Sequence, residues 1–179
     1  MKLVTRLFLT MSLLVTVTVL GLVVATDRIL RRRLETAVAA GLEREARLTA
    51  ALLPADTAAW PALAQQLGDR IGRRITLVDP TGRVRGDTDF GPAALARLEN
   101  HAERPEIRAA RDSGLGRDLR RSASSNERQL YVAVGGGPAG LAAVRVSASL
   151  VAVDAQVHTV QRAVAAAGLL AVVAAALLA

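Results

Sequence analysis

The sequence predicts an α+β domain with a five-stranded antiparallel sheet and flanking helices, placed between two transmembrane helices. Two uncharged, apolar runs at residues 7–26 and 163–179 predict the membrane helices. Between them, helical spacing of apolar residues gives way to short β-branched stretches separated by Pro, Gly and Asn, which predicts the strands. The helices gather before and between the strands, an arrangement typical of the α+β class.

Composition supports this division of the chain. Its 179 residues are 51% apolar, with a mean hydropathy of +0.31, yet they include 23 basic and 16 acidic residues. All the acids and 21 of the bases lie in residues 27–162, which have a net charge of +5. The apolar excess therefore belongs to the two ends. The chain has no cysteine, which excludes disulfide scaffolds, thiolate zinc sites and thiol nucleophiles.

Residues 7–26 are long enough to cross a hydrocarbon core of about 30 Å as a helix. Residues 1–6, which include Lys2 and Arg6, form a short tail before this span. A cleaved signal peptide is the alternative, with a cleavage site near Ala25. Because the apolar region of a signal peptide usually has only about 7–15 residues, we expect an uncleaved anchor.

Charge alone leaves the membrane topology open. Arg28 and residues 31–33 follow the first span closely, and the positive-inside rule taken literally would place the middle domain in the cytoplasm. A domain as long as residues 27–162, however, can cross the membrane largely regardless of its charge.

The second apolar run, residues 163–179, is near the lower length limit for a span. No charged or aromatic residue follows it, although membrane helices normally end with such residues at the interface. We therefore expect that the polypeptide is cut within its second helix and that further domains follow. A tail-anchored protein that ends at Ala179 is the alternative.

The middle domain starts with two helices. Residues 27–53 predict a long amphipathic helix that continues from the first span and ends at Pro54. Its apolar stripe consists of Leu30, Leu34, Val38, Leu42 (or Gly41), Leu48 and Leu52. The stripe can pack on its own domain or pair with the same helix of a second copy; we expect both, and hence a homodimer. A second helix, capped by Asp56, runs through Trp60, Leu63, Leu67 and Ile71 to Gly72.

A hairpin then opens the sheet, with strands at 74–79 and 83–89 joined by a turn at 80–82. Two short helices follow, at 92–98 and 105–111. Three further strands are predicted at 117–124, 129–134 and 141–149, with connections at 125–127 and 135–138. From Leu150 the pattern is helical again and leads into the second span.

The sequence carries no motif of a catalytic or phosphate-binding site. It lacks HExxH, GxxxxGK[ST], GxGxxG and GxSxG, and the glycines at 135–137 join two strands instead of opening a helix. The acids Asp79, Asp87 and Asp89 gather on the hairpin, where a cation site or an acid–base pair competes with the ordinary preference of Asp for turns. We expect no catalytic residue, cofactor or metal site in this chain.

A pI near 11.4 raises the question of nucleic acid binding. The bases interleave with the acids, however, and the aromatic residues needed for stacking make up only 2% of the chain. The tightest basic cluster, Arg28 with residues 31–33, lies beside a span and is better placed for lipid phosphates. We expect the membrane, and no nucleic acid, as a partner.

Four segments between residues 74 and 149 form a distinctive pattern: RITLVDPTGRVRGDTD, LENHAERPEIRAA, GLGRDLRRSASS and LYVAV. Together with the flanking spans, they resemble the sensor region of bacterial phosphate-regulon-type sensor histidine kinases. LENHAERPEI is the most specific of them. The resemblance implies a PAS-like extracytoplasmic sensor anchored in the inner membrane, with its amino terminus in the cytoplasm.

The resemblance also implies a kinase whose catalytic parts are not in this chain. A dimerising helical pair with a phosphorylated His and an ATP-binding domain, which uses ATP and Mg, would follow and act on a cognate response regulator. Neither His101 nor His158 is followed by the Glu and Pro of the family's phosphorylated His. This chain alone is therefore not expected to be a kinase.

Three residues are candidate contacts for a ligand or partner: His101 and Arg104 in the polar stretch before Pro105, and Tyr131, a lone aromatic residue on a predicted strand. Loop hydrogen bonds are an alternative role for His101, and a helix-surface position explains His158. The input module of a chemoreceptor or cyclase, or a stand-alone membrane-anchored regulator, are the alternatives to the kinase. A metal, a small anion, a peptide or a partner protein all fit as the signal.

Overall fold

The structure is a computed structural model that describes residues 3–122 and 126–178. The chain forms two compact units: a helical unit, Met1–Glu35 with Val151–Ala179, and a sheet unit, Thr36–Leu150. The helices are α1 (Leu3–Leu52), α2 (Trp60–Ile71), α3 (Pro92–Leu95), α4 (Pro105–Ser113) and α5 (Val151–Leu178). The strands are β1 (Arg74–Val78), β2 (Val84–Asp87), β3 (Leu115–Arg121), β4 (Arg128–Gly135) and β5 (Ala143–Ser149).

The helical unit contains the two apolar ends of the chain. α1 is one unbroken helix of 50 residues, so the predicted continuity between the first span and the amphipathic helix is confirmed. α5 has 28 residues. In the described part of the chain, α1 and α5 are the two helices that are long and apolar enough to cross a membrane.

Polar side chains join α1 to α5 just beyond the apolar part of α1. Arg31 forms ion pairs with Asp27, 3.2 Å away on the same helix, and with Asp154 on α5. Gln161 of α5 donates a hydrogen bond of 2.9 Å to the Asp27 carboxylate. We call these four residues the helix clamp, because their side chains form the Arg31–Asp154 and Gln161–Asp27 contacts between the two helices.

Within the sheet unit, the buried side of α1 includes Leu42 of the predicted stripe but otherwise differs from that stripe. The buried positions at its end are Ala39, Leu42, Ala46, Thr49 and Leu53. The inclusion of Leu48 and Leu52 in a stripe packed on this domain is wrong, since they are 64% and 61% exposed. Ala39, Ala46 and Thr49 are small members of the buried side, whereas the predicted stripe follows the largest side chains. Pairing of the exposed leucines with a second copy stays a prediction.

The predicted C-cap of the second helix, Gly72, is confirmed, whereas Asp56 caps the 3₁₀ turn Thr57–Ala59 that precedes α2 and Ala59 is the N-cap of α2 itself. Asp56 Oδ1 accepts a hydrogen bond of 2.9 Å from the Ala58 N–H, which caps the 3₁₀ turn before α2. Gly72 ends α2 with φ +63°, in the left-handed region that favours glycine. Gly68 of α2 lies so close to the Thr88 side chain that a Cβ there would clash with it. The glycine therefore allows α2 to pack closely against the end of the hairpin.

In the described residues, five strands form one antiparallel sheet in the order β2-β1-β5-β4-β3, as the α+β prediction requires. The observed strand bounds differ from the predicted ones by a few residues. The predicted strand end at Ser124 and the start of the connection at Ser125 lie outside the described residues. The short helices after Pro92 and Pro105 are also confirmed, and Gly114 ends α4 with φ +81°.

The two faces of the sheet differ in chemistry, because directly opposed residues of antiparallel strands share a face. The apolar face includes Ile75, Leu77, Leu130, Val132, Val134, Val144 and Val146. α1 lies on this side, since its Glu43 forms an ion pair of 2.9 Å with Arg117 of β3. The polar face includes Arg74, Thr76, Asp87, Asp118, Arg120, Tyr131, Arg145 and Ser147.

α4 covers the polar face at one end. A Cβ at Gly116 of β3 would clash with the Glu106 carbonyl oxygen, so only glycine permits this approach. Under α4, a small apolar cluster is formed by Val78, Ile107, Ala110, Ala133 and Ala143. The part of the polar face next to this cluster carries charged side chains, and these form the candidate site.

Candidate functional site

A continuous chain of polar contacts crosses the polar face from β2 to α4. Asp87 accepts hydrogen bonds from Arg74 Nε at 3.0 Å and from Thr76 Oγ1 at 2.7 Å. Thr76 Oγ1 in turn accepts a bond of 3.0 Å from Arg145 Nη2. The other end of the Arg145 guanidinium, Nη1, lies 3.3 Å from a Glu106 carboxylate oxygen. A helix residue is thus tied to an edge strand through the two strands between them.

The chain continues to the other edge of the sheet through Arg120. Its two Nη atoms donate to the two Glu106 carboxylate oxygens at 2.8 and 3.0 Å, a bidentate pair. Arg120 also pairs with Asp118. The Tyr131 ring lies beside both arginines, with its centroid 3.9 Å from the guanidinium carbon of Arg120 and 5.2 Å from that of Arg145. Both distances fit cation–π contact.

We call this set the charge network. Its members are Arg74, Thr76, Asp87, Glu106, Asp118, Arg120, Tyr131 and Arg145. It has three cations and three carboxylates, and Asp87, Glu106 and Arg145 are buried. Buried charges are tolerated when they are paired and hydrogen-bonded, which explains why its members lie together.

Glu106 shows the balance of forces in the charge network. Burial by itself would raise the pKa of this carboxyl, but the hydrogen bonds from Arg120 and the charge of Arg145 lower it below its ordinary value. Glu106 therefore stays ionised, as both arginines require.

One atom of the charge network has no partner. Arg145 is only 3% exposed, yet its Nε–H makes no hydrogen bond to any of the described residues. An unsatisfied buried donor costs about 1–3 kcal/mol. The guanidinium is therefore the least satisfied point of the site and has capacity for another acceptor.

His101 occupies the buried loop before α4. Its N–H donates to the Gly82 carbonyl at 2.8 Å, and its Nδ1 lies 2.7 Å from the Glu99 carbonyl, which requires a proton on Nδ1. Burial lowers its pKa to about 4, and the charges of Arg145 and Arg104 act in the same direction. The ring is therefore neutral at pH 7, and loop hydrogen bonds account for its position.

The structure separates the three predicted contact residues. Tyr131 is a member of the charge network, and His101 lies within the electrostatic field of Arg145. Arg104 lies on the outer side, where it pairs with Glu99 at 2.5 Å and precedes the first turn of α4. Their role in ligand or partner contact stays a prediction.

Sequence reasoning missed most of the charge network. Glu106, Arg120, Arg145 and Arg74 were not expected to form a site. One signal was present: Arg145 interrupts the apolar residues Val144 and Val146 of a strand that is buried on both faces. An arginine at such a position needs a buried carboxylate, and this requirement points to an acid on a covering element.

The hairpin acids are explained by structure. Asp79 Oδ1 accepts hydrogen bonds from the Thr81 and Arg83 N–H groups at 2.9 and 3.0 Å, which holds the turn. Asp87 and Asp89 both pair with Arg74. Among the described side chains, no group of three His, Cys, Asp or Glu residues could hold a metal ion.

His158 lies on the surface of a helix. It is exposed on α5, and its Nδ1 lies 3.0 Å from the Gln161 Oε1 atom. This agrees with the helix-surface position expected for it.

The fold is similar to that of solved sensor domains. One is the ligand-binding domain of the amino acid chemoreceptor PctC of Pseudomonas aeruginosa PAO1, solved with GABA, with a TM-score of 0.53 and 17% identity over 75% of this chain and 61% of that one. Another is the sensor domain of the V. cholerae histidine kinase DctB, with a TM-score of 0.43 and 20% identity over 51% of this chain and 37% of that one. This chain thus spans less than two thirds of either.

Comparison with protein-family models and with curated proteins finds no match. At these identities the structural likeness concerns the fold. The sheet unit is an α+β domain with a PAS-like fold and a five-stranded antiparallel sheet, as the sequence predicts.

Proposed function

We propose that this chain is the signal-sensing input region of a membrane-bound receptor. The observation that carries the proposal is a PAS/Cache-like sheet unit whose sequence lies between two helices long and apolar enough to span a membrane. The connections are short: α1 runs into the sheet unit without a break, and only Leu150 separates β5 from α5. A change in the sheet unit therefore has a short covalent path to both helices.

For the membrane arrangement, we propose spans at residues 7–26 and 163–179, a cytoplasmic tail at 1–6 and an extracytoplasmic domain at 27–162. The bacterial inner membrane is the proposed location. Support comes from the resemblance of residues 74–149 to extracytoplasmic sensors and from the apolar composition of the two helices.

The receptor class is a finer proposal. The resemblance favours a phosphate-regulon-type histidine kinase, with a homodimer, ATP and Mg in the kinase region and a cognate response regulator. The likeness to a chemoreceptor domain gives the chemoreceptor alternative equal weight. The coding sequence after codon 179 is the test. An H-E-x-x-x-P motif with an ATP-binding region would support the kinase, and another signalling region would support the chemoreceptor or cyclase. An immediate stop codon would support a stand-alone regulator.

Ligand sensing is tested with the full chain in lipid nanodiscs. Thermal unfolding is measured against a panel of amino acids, carboxylates and inorganic phosphate. A true ligand at 100 times its dissociation constant stabilises the folded state by about 2.7 kcal/mol, which raises the unfolding temperature by roughly 5–11 °C for a chain of 179 residues. We expect Tyr131→Leu and the double variant His101→Ala with Arg104→Ala to reduce that shift. A ligand shift that is unaltered in both variants would remove these three residues from the site.

A further inference from the structure

A cavity of about 530 Å³ lies beside β2, the edge strand of the sheet, away from the charge network. Its walls come from the turn before α2, from β2, and from α3 with the segment that follows it. Its volume is within the range of about 300–1,000 Å³ typical of small-molecule sites.

The charged side chains that line this cavity are both arginines. Arg83 makes no side-chain hydrogen bond or ion pair with any described residue. The Nε of Arg85 is 4.0 Å from Asp79 Oδ2, at the outer limit of an ion pair. Asp79 is already engaged, since its Oδ1 holds the turn. The cavity therefore carries positive charge that the surrounding protein neutralises poorly, unlike the arginines of the charge network.

The rest of the lining is mostly apolar. It is formed by Pro61, Val84, Pro92, Leu95, Ala96 and Leu98, with Thr57 and Asn100 as its polar members. The Asn100 amide holds the loop, because Nδ2 donates to the Thr81 carbonyl and Oδ1 accepts from the Ala102 N–H, both at 2.8 Å. The lining thus combines two donors for an anion with a wall for an apolar group.

We propose that this cavity binds a small organic anion, a carboxylate with a compact apolar body. Arg83 and Arg85 would hold the carboxylate, while Leu95 and the prolines contact the body. Charge complementarity carries the assignment: a carboxylate supplies the acceptor that neither arginine finds in the protein. A neutral or cationic ligand of the same shape would offer neither guanidinium group a charge-assisted hydrogen bond.

The cavity also has a physical route to the charge network. Its wall at residues 92–100 leads directly into His101, whose N–H binds Gly82, and then into α4 with Glu106. A ligand that orders this wall would stabilise the loop that precedes α4. This consequence rests on the proposed sensing function, whereas binding at the cavity does not.

Binding is measured on the full chain in lipid nanodiscs with isovalerate and phenylacetate as probes. Their amides serve as neutral controls of nearly the same shape. Trp60 is the only tryptophan in the sequence and precedes Pro61 of the cavity wall, so we expect its fluorescence to respond to a ligand that moves this wall, and calorimetry provides the affinity. We expect saturable binding of at least one carboxylate and at least tenfold weaker binding of its amide.

Variants then locate the site. Arg83→Gln and Arg85→Gln should each weaken carboxylate binding about fivefold or more, as expected for a lost charge-assisted hydrogen bond. Ala96→Phe should block the cavity. Arg111→Gln, on an exposed arginine of α4, is the matched control and should bind like the unmodified chain; circular dichroism verifies that every variant is folded.

Three outcomes would overturn the proposal: no saturable carboxylate binding up to millimolar concentration, equal binding of acid and amide, or unchanged binding in Arg83→Gln and Arg85→Gln. Tyr131→Leu distinguishes this failure from failure of the sensing function. A panel ligand that loses affinity in Tyr131→Leu but not in Arg85→Gln would support sensing at the charge network and reject the cavity as its site.

Discussion

The two faces of the sheet are built from the same strands but bury opposite kinds of side chain. On the apolar face, residues such as Ile75, Leu77 and Val146 are fully buried, and each large side chain contributes about 1.5–3 kcal/mol through burial without demanding a particular geometry. On the polar face, Glu106 and Arg145 are stable only together, because each is a buried charge without the other. The first face provides stability, and the second fixes one arrangement of α4 on the sheet.

The largest expected effect comes from Glu106→Ala. This change leaves Arg120 and Arg145 without their shared carboxylate, and breaking a buried pair in this way costs about 3–5 kcal/mol. Chemical unfolding of the full chain in nanodiscs measures the loss. If Glu106→Ala costs less than a conservative change on the apolar face, the charge network is not what holds α4.

The second largest effect is expected from lowering the pH, which should reduce stability through His101 beside the polar face but not through the apolar face. The folded state holds the pKa of His101 near 4 against an ordinary value of 6.5, so between these values the unfolded chain binds a proton that the folded chain does not. Stability is therefore lost as pH falls through this window and is complete above it, by an amount on the order of 2–3 kcal/mol. Burial is the main cause; Arg145 and Arg104 add to it, and Glu106 and the Glu99 carbonyl oppose it.

The check is the free energy of unfolding between pH 7 and 4 for the unmodified chain and for His101→Gln. The variant should have a flatter profile in this window. Variants of the apolar face should lower the whole profile without changing its slope. An identical slope in His101→Gln would show that His101 is not the titrating group.

A smaller effect is expected from Tyr131→Leu, which keeps apolar volume but removes the ring face beside Arg120 and Arg145. Cation–π contacts contribute about 0.5–2 kcal/mol, so we expect a loss in that range. Tyr131→Phe keeps the ring and should retain most of the stability. A double-mutant cycle with Arg120→Gln should give a non-zero coupling energy, whereas additive losses would mean that the ring and the guanidinium act independently.

The smallest effect belongs to Ile75→Val on the apolar face, at about 0.5–1.5 kcal/mol. It removes one methylene group from a fully buried side chain and leaves every polar contact intact. Its unfolding midpoint should shift without any change in ligand or pH response. A pH-dependent loss would mean that the two faces are coupled more strongly than their chemistry suggests.

The sequence predicts well what neighbouring residues determine. The hairpin at 74–89 follows from a Pro-Thr-Gly turn between β-branched stretches, and the start of the 3₁₀ turn before α2 and the end of α2 follow from Asp56 and Gly72. These features depend on backbone conformation over a few residues, so local residue types suffice to indicate them.

What the sequence does not predict depends on contacts between distant elements. Arg145 meets Glu106 only because of the strand register and the placement of α4 over Gly116. Periodicity likewise groups Leu48 and Leu52 on one side of α1, but it does not tell which side packs. In the structure Ala39 and Ala46 are buried, whereas Leu48 and Leu52 are exposed.

The helix clamp has a further consequence, for how α1 and α5 can move past each other. Arg31 finds a carboxylate on α5 at Asp154, but the positions one helical turn away, Leu150 and His158, offer it none. A shift of α5 by one turn, about 5.4 Å, would therefore lose the ion pair with Asp154 instead of exchanging it. Axial displacement of α5 by one turn should therefore cost this ion pair without a replacement, which favours the observed register of the two helices.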